Sequence, residues 1–285
     1  MIYKHYKGKV KNNLNVGMFN KLIKLFDQKG WNRELSSSNG IFMRYVKTLS
    51  SMDQTCQRFM MELSERFEYI YGEEYHKCLA NLLNNIIDKY SSYNILIARD
   101  FQCYNAINKK TKSSSFVFYE MEGIEVRSLL KHEVTFIDNI QKFKKRGIKN
   151  NEILVVVDDF VGTGKTLLTA VNNYISIGVN KSQIVIMTIA IMEKGLKYLQ
   201  IKEVDVFYNF ELKRGISDYY EGKNLTRKVE LMKKIESNIN GLKPQFQFGF
   251  EHSEALVCME RCPNNTFPIY WLKEDAPYAR SYKKI

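Results

Sequence analysis

The chain has 285 residues, 45% hydrophobic side chains and a formal net charge of +12, enough apolar material for one large packed domain or two modest ones. No stretch holds eighteen consecutive apolar residues, and the opening MIYKHYKGKVKNNLNVG lacks the apolar core of a secretory signal, so the expectation is no membrane span and no export. The cysteines at 56, 78, 103, 258 and 262 are odd in number and scattered, which fits a reducing cytoplasm and not a disulfide framework.

Along the chain, Met18, Leu22, Leu25 and Phe26 share one helical face, and the pattern stops at Gly30, a residue suited to closing a helix. A polar turn, SSSNG, follows at residues 36–40. Met52, Cys56, Phe59, Met60, Leu63, Phe67 and Ile70 mark a longer helix. Leu79, Leu82, Leu83, Ile86, Ile87 and Tyr90 mark a third. Residues 1–90 are therefore expected as a helical region, a cap or an interaction module. From Asn94 strands and helices alternate. Residues 95–98 (ILIA) and 115–120 (SFVFYE) read as strands, and 122–131 as a helix. Residues 153–157, 184–192 and 204–208 read as buried strands. This alternation predicts an α/β fold, a mostly parallel sheet flanked by helices, over residues 91–285. A charged segment at about 211–245 interrupts it as an insertion or hood.

The stretch ILVVVDDFVGTGKTLLTA, residues 153–170, carries the clearest chemistry. A β-branched run suits a strand buried on both faces. Gly162 and Gly164 permit a tight turn, and Leu168, Val171 and Ile175 then fall at helical spacing. Amides at such a helix N-terminus favour an anion. The nucleotide-binding loop G-x-x-x-x-G-K-[ST] does not fit, because its first glycine would fall on Asp159. A purely structural turn is disfavoured, since adjacent acids at a strand end are costly unless exposed or paired.

VVVDDFVGTGKT resembles the phosphoribosyl-diphosphate motif of type I phosphoribosyltransferases. The resemblance implies that Asp158 and Asp159, the catalytic candidates, hold the ribose hydroxyls. It implies that Gly162, Thr163, Gly164, Lys165 and Thr166 cradle the 5′-phosphate. It also implies Mg2+, carried with a diphosphate-containing ligand. The aspartate that precedes T-G-K-T in purine-salvage members is replaced by Gly162, so purine-base transfer is not implied. SEALVCMERCPNNTFPIYW, residues 253–271, is similar to phosphoribosyltransferase-like effectors of prokaryotic conflict systems, including those encoded beside retron reverse transcriptases. That similarity points to Asn264, Asn265 and Thr266, although a buried strand at 255–259 followed by a turn at Pro-Asn-Asn-Thr explains the same segment. It implies an antiviral effector acting on a nucleotide or nucleic acid, partnered by a reverse transcriptase and its RNA-DNA product or another co-encoded protein. The rival reading is a non-catalytic nucleotide sensor or scaffold in a nucleoprotein complex.

Arg99 follows the strand at 95–98 and is a candidate for diphosphate or a solvated loop residue. His132 and His252 have no spacing that pairs them. Cys258 and Cys262 lack a second close pair, so no metal ligands are assigned. Basic residues gather at 4–11, 142–149, 213–234 and from 280 onward. Such clusters attract polyanions, but an AT-rich coding bias yields the same lysine excess.

Overall fold

The computed structural model describes residues 14–31, 37, 39–100 and 113–279. The basic clusters at 4–11 and from 280, part of the 36–40 turn, and Cys103 lie outside the described residues. The described chain forms two compact units. One comprises the residues up to Tyr69 together with those from Arg214 onward; the other is Ile70–Lys213.

The first unit begins with helix α1 (Val16–Gln28), started by the Asn15 side chain, which accepts the Met18 amide at 2.8 Å. Its buried face is Met18, Leu22, Leu25 and Phe26. Helices α2 (Ile41–Ser50) and α3 (Gln54–Glu65) follow. Asp53 caps α3 by accepting from the Thr55 and Cys56 amides. The stripe from Met52 to Ile70 is therefore not one helix. It ends at Glu65 and gives way to a short strand, β1 (Glu68–Tyr69), while Phe67 and Ile70 remain buried outside any helix.

The second unit opens with α4 (Gly72–Lys89), the third expected helix, so that helix lies with the sheet and not with α1–α3. Next come β2 (Asn94–Ala98), α5 (Ser113–Glu122), α6 (Ile124–Arg127), β3 (Thr135–Phe136) and α7 (Ile140–Arg146). Strand β4 (Glu152–Val161), α8 (Lys165–Ile175), β5 (Ile184–Met192), α9 (Glu193–Ile201) and β6 (Asp205–Leu212) complete it. Residues 115–120 are thus helix, not strand. Their aromatic content imitates a strand, but the buried positions Ser114, Val117, Phe118 and Met121 recur at helical spacing. Phe118 meets Phe136 of β3 edge-on at 5.2 Å. The helix expected over 122–131 contracts to α6.

All five strands of this unit are parallel, in the order β3-β2-β4-β5-β6. Strand β5 is buried along its whole length and the central strand β4 nearly so, as expected where helices cover both faces. Register pairs Val155 with Val185 and Asp158 with Thr188. The chain leaves β2 toward β3 on one side, then runs from β4 toward β5 and β6 on the other. Such a reversal opens a crevice at the carboxyl ends of β2 and β4, where ligands of open α/β sheets bind.

After Leu212 the chain returns to the first unit. The charged segment contains α10 (Gly222–Ser237), and β7 (Val257–Cys258) pairs in parallel with β1. The strand expected at 255–259 is therefore two residues long and belongs to this separate pair, not to the main sheet. Aromatic rings dominate the unit's core: Phe67 stacks on Tyr278 at 4.9 Å and packs on Tyr270 at 4.6 Å. Among the described residues no helix is long and apolar enough to cross a membrane.

Candidate functional site

β4 does not stop at Val157 but continues through both acids to Val161. Asp159 is only 5% exposed, and Asp158 is partly buried. The Ser113 hydroxyl at the start of α5 donates to Asp158 Oδ1, and the Asp159 amide donates to the same oxygen at 3.0 Å. Next to Ser113, Ser114 Oγ accepts the Asp100 amide at 2.6 Å, which ties the residues just after β2 to the start of α5. Burial raises the proton affinity of both Asp158 and Asp159 above the usual carboxylate range. For Asp158, the neighbouring negative charge of Asp159 pushes further in the same direction, and the hydrogen bonds from Ser113 and the amide offset part of it. Two adjacent carboxylates stripped of water favour a proton, a cation, or hydroxyl donors such as a vicinal diol.

The turn after β4 is shaped by its backbone. Gly164 sits at φ +77° and caps α8, a conformation open to glycine at little cost. Its carbonyl accepts the Leu168 amide at 2.9 Å. The turn rests on the first turn of α9 with no side chain between them. A Cβ at Gly195 would lie 2.5 Å from the Gly162 carbonyl oxygen, and one at Gly164 would lie 3.1 Å from the Gly195 carbonyl. On the outer side, Thr163 is half-exposed and Lys165 and Thr166 are exposed. The first turn of α8 therefore faces solvent, with the amide arrangement that suits a phosphate.

Arg99 stands immediately after β2, at the same carboxyl end of the sheet as the acids. Its guanidinium lies 5.1 Å from the Phe118 ring centre. Its carbonyl accepts the Tyr174 hydroxyl at 2.8 Å, linking β2 to α8. The structure thus brings Asp158, Asp159, residues 162–166 and Arg99 to one end of one sheet.

Asn264, Asn265 and Thr266 belong to the other unit. Thr266 is fully buried; its Oγ1 donates to the Val257 carbonyl at 2.6 Å, and its carbonyl accepts Trp271 Nε1 at 2.7 Å. The Asn265 carbonyl accepts from Ala255 N–H at 3.1 Å and from Ser253 Oγ at 2.9 Å, while Asn264 accepts the Phe250 amide at 2.8 Å. These contacts secure residues 248–254, where Phe248, Glu251, His252 and Glu254 all have positive φ. Glu254 in turn accepts the Ile216 amide at 2.8 Å, the Ser217 amide at 2.7 Å and the Ser217 hydroxyl.

The histidines do not join the acids. His252 stacks on Phe248 within the first unit. His132 lines a cavity of about 750 Å³ with Asn94, Ile95 and Glu152, at the amino ends of β2 and β4, away from the carboxyl ends that carry the acids. Cys258 and Cys262 are buried thiols donating to the carbonyls of Met259 and Val257. No cluster of three metal-ligating side chains occurs among the described residues. The acid pair does fit Mg2+ in the mode where one or two carboxylates and ligand phosphates share the ion.

Sequence reasoning missed three residues here. Ser113 and Ser114 were hidden by the strand reading of α5. Gly195 carried a usable signal, because a glycine inside a helical pattern costs about 1 kcal/mol relative to alanine and marks a close backbone approach.

The sequence profile of the family described as PRTase-CE matches residues 42–282. Among curated proteins none matches the sequence. The adenine phosphoribosyltransferase of Giardia lamblia, solved with 9-deazaadenine, is 16% identical over 47% of this chain and 79% of its own, with a TM-score of 0.32. The orotate phosphoribosyltransferase of Mycobacterium tuberculosis, solved with 5-phospho-α-D-ribosyl 1-diphosphate, is 10% identical over 57% of this chain and 82% of its own, with a TM-score of 0.32. A purine phosphoribosyltransferase from Pyrococcus horikoshii is 15% identical over 50% of this chain and 88% of its own, with a TM-score of 0.29. With the profile matched across most of its length, the chain belongs to the PRTase-CE family.

Proposed function

We propose that the carboxyl end of β4 binds the 5-phosphoribosyl group of phosphoribosyl diphosphate or of a nucleotide. One observation carries this reading: a single strand delivers two adjacent carboxylates, Asp159 buried and Asp158 partly so, and, a few residues on, a glycine turn that opens a helix. Asp158 and Asp159 accept hydrogen bonds from the ribose 2′- and 3′-hydroxyls, which removes their mutual repulsion from bare juxtaposition. Residues Gly162, Thr163, Gly164, Lys165 and Thr166 hold the 5′-phosphate through backbone amides. Arg99 contributes positive charge on the diphosphate side.

Reaction at C1 of a ribose 5-phosphate builds positive charge on the sugar and negative charge on the departing group. The acid pair lies beneath the sugar and stabilises the first by its negative charge. The turn fixes the phosphate and so holds C1 in place. Mg2+, when bound with a diphosphate, supplies neutralisation of the leaving group. Transfer of the phosphoribosyl group, or cleavage of an N-glycosidic bond, follows from this arrangement.

The wider role we propose is that of an antiviral effector in a retron-type system, cytoplasmic, acting on a nucleotide or nucleic acid. Its support is the sequence similarity of residues 253–271 and the basic charge. Titration calorimetry with phosphoribosyl diphosphate and Mg2+ tests the site. Binding by the wild type is expected, with a roughly 100-fold loss in Asp158→Asn/Asp159→Asn. Equal binding by both proteins overturns the reading. Mass spectrometry of nucleotides incubated with the wild type separates an enzyme, which releases a base, from a sensor, which does not.

A further inference from the structure

Two adjacent serines open α5, and their hydroxyls serve different strands. Successive side chains of a helix point roughly 100° apart, so neighbours reach different partners. Ser113 Oγ donates to Asp158 Oδ1 at the carboxyl end of β4. Ser114 Oγ accepts the Asp100 amide, two residues beyond the end of β2. The first turn of α5 thus touches both strand ends that border the crevice.

α5 is anchored beyond that turn. Val117, Phe118 and Met121 are buried. Glu120 Oε2 lies 2.8 Å from His76 Nε2 on α4, and the Phe116 ring packs with that of Tyr75 at 6.0 Å between centres. A helix held against α4 and β3 therefore presents the Ser113 hydroxyl from a fixed frame.

The contact has two consequences for Asp158. Together with the Asp159 amide at 3.0 Å, it gives Oδ1 two donors, one for each lone pair. The carboxyl group is fixed in rotation, and a ligand hydroxyl is left Oδ2. The second consequence is electrostatic. A hydroxyl donor favours the ionised carboxylate, against the burial and the Asp159 charge that press the pair toward protonation. An ionised carboxylate is also the stronger acceptor for a ribose hydroxyl.

We propose that Ser113 is a positioning residue for ribose recognition, acting through Asp158, which it orients and keeps as an acceptor without itself touching the ligand. This inference rests on the reading of the acid pair as a ribose site.

The test is titration calorimetry with ribose 5-phosphate from about pH 5.5 to pH 8, on the wild type, Ser113→Ala, Ser113→Thr and Ser114→Ala, with melting curves for each. In Ser113→Ala affinity is expected to fall about tenfold at pH 6. The loss narrows toward pH 8, where the carboxylates ionise without the serine's help. The ligand phosphate's own second ionisation, near pH 6, is common to all four proteins and cancels in the comparison. Ser113→Thr keeps the hydroxyl and the wild-type profile. Ser114→Ala lowers the melting temperature and leaves the pH profile in place. Inorganic phosphate, which has no hydroxyls to offer the acids from a sugar, binds Ser113→Ala and the wild type equally. A wild type that does not bind ribose 5-phosphate refutes the ribose reading, and this inference falls with it. If the wild type binds, four results overturn this inference alone: a Ser113→Ala loss that is absent or the same at every pH, an equal loss in Ser114→Ala, failure of Ser113→Thr to restore binding, or unfolding of Ser113→Ala.

Discussion

Glu254 and the Asp158–Asp159 pair are all buried or partly buried acids, yet their surroundings differ in kind. Glu254 accepts two backbone amides and a hydroxyl from Ile216 and Ser217. Its own backbone is held at φ +50°. A carboxylate so supplied ties down a loop and has no need of an outside partner. Asp158 receives the Ser113 hydroxyl and the Asp159 amide, and these donors do not offset burial, so the pair holds its protons above the usual range. A buried acid rich in local donors reads as structure. A buried acid pair left electrostatically uncompensated at a sheet's carboxyl end reads as a ligand site.

The contrast breaks if removing the pair's charge does nothing. In Asp158→Asn/Asp159→Asn, affinity for phosphoribosyl diphosphate falls roughly 100-fold, read by calorimetry. The same variant melts higher than the wild type at neutral pH. The sign follows from linkage. The folded-state proton affinity of the pair exceeds the unfolded one. Wild-type stability is therefore full below about pH 4, the unfolded carboxylate value, and declines as pH rises through the folded value. The variant lacks that decline, so the difference in melting temperature grows from pH 4 to pH 7.

Glu254→Ala gives the opposite pattern. It leaves two amides without their acceptor and costs about 2 kcal/mol in urea unfolding, while ribose-phosphate affinity of the folded protein stays unchanged. Gly195→Ala sharpens the picture from a residue that touches no ligand. Its new Cβ displaces the Gly162 carbonyl, and phosphate affinity falls about tenfold, a loss of near 1.4 kcal/mol, with helix propensity moving the other way. Thr266→Val removes the hydrogen bond to Val257 and costs about 1 kcal/mol of stability, with no change in affinity.

Much of the candidate site's local geometry was legible in the sequence because strand, turn and helix there are continuous in the chain. The β-branched run, the acids and Gly164 each announce one local conformation, and β4, its turn and α8 follow. The α/β sheet was legible for the same reason. What escaped depended on contacts remote in sequence. Ser113 and Ser114 start a helix whose aromatic residues imitate a strand. Gly195 matters through the Gly162 carbonyl, which only the folded backbone brings near. Nor does periodicity reveal that the chain returns after Leu212 to the unit that holds α1–α3, or that Val257 and Cys258 pair with β1 and not with the main sheet.

The central claim is that one strand end recognises a ribose and a phosphate together. Its most direct test compares ribose 5-phosphate with inorganic phosphate by 31P NMR titration, on wild type and on Asp158→Asn/Asp159→Asn. The wild type is expected to bind ribose 5-phosphate at least tenfold more tightly than phosphate, and the double variant to lose this preference while still binding phosphate at the turn. A wild type that binds both equally, or a double variant that keeps the preference, contradicts it.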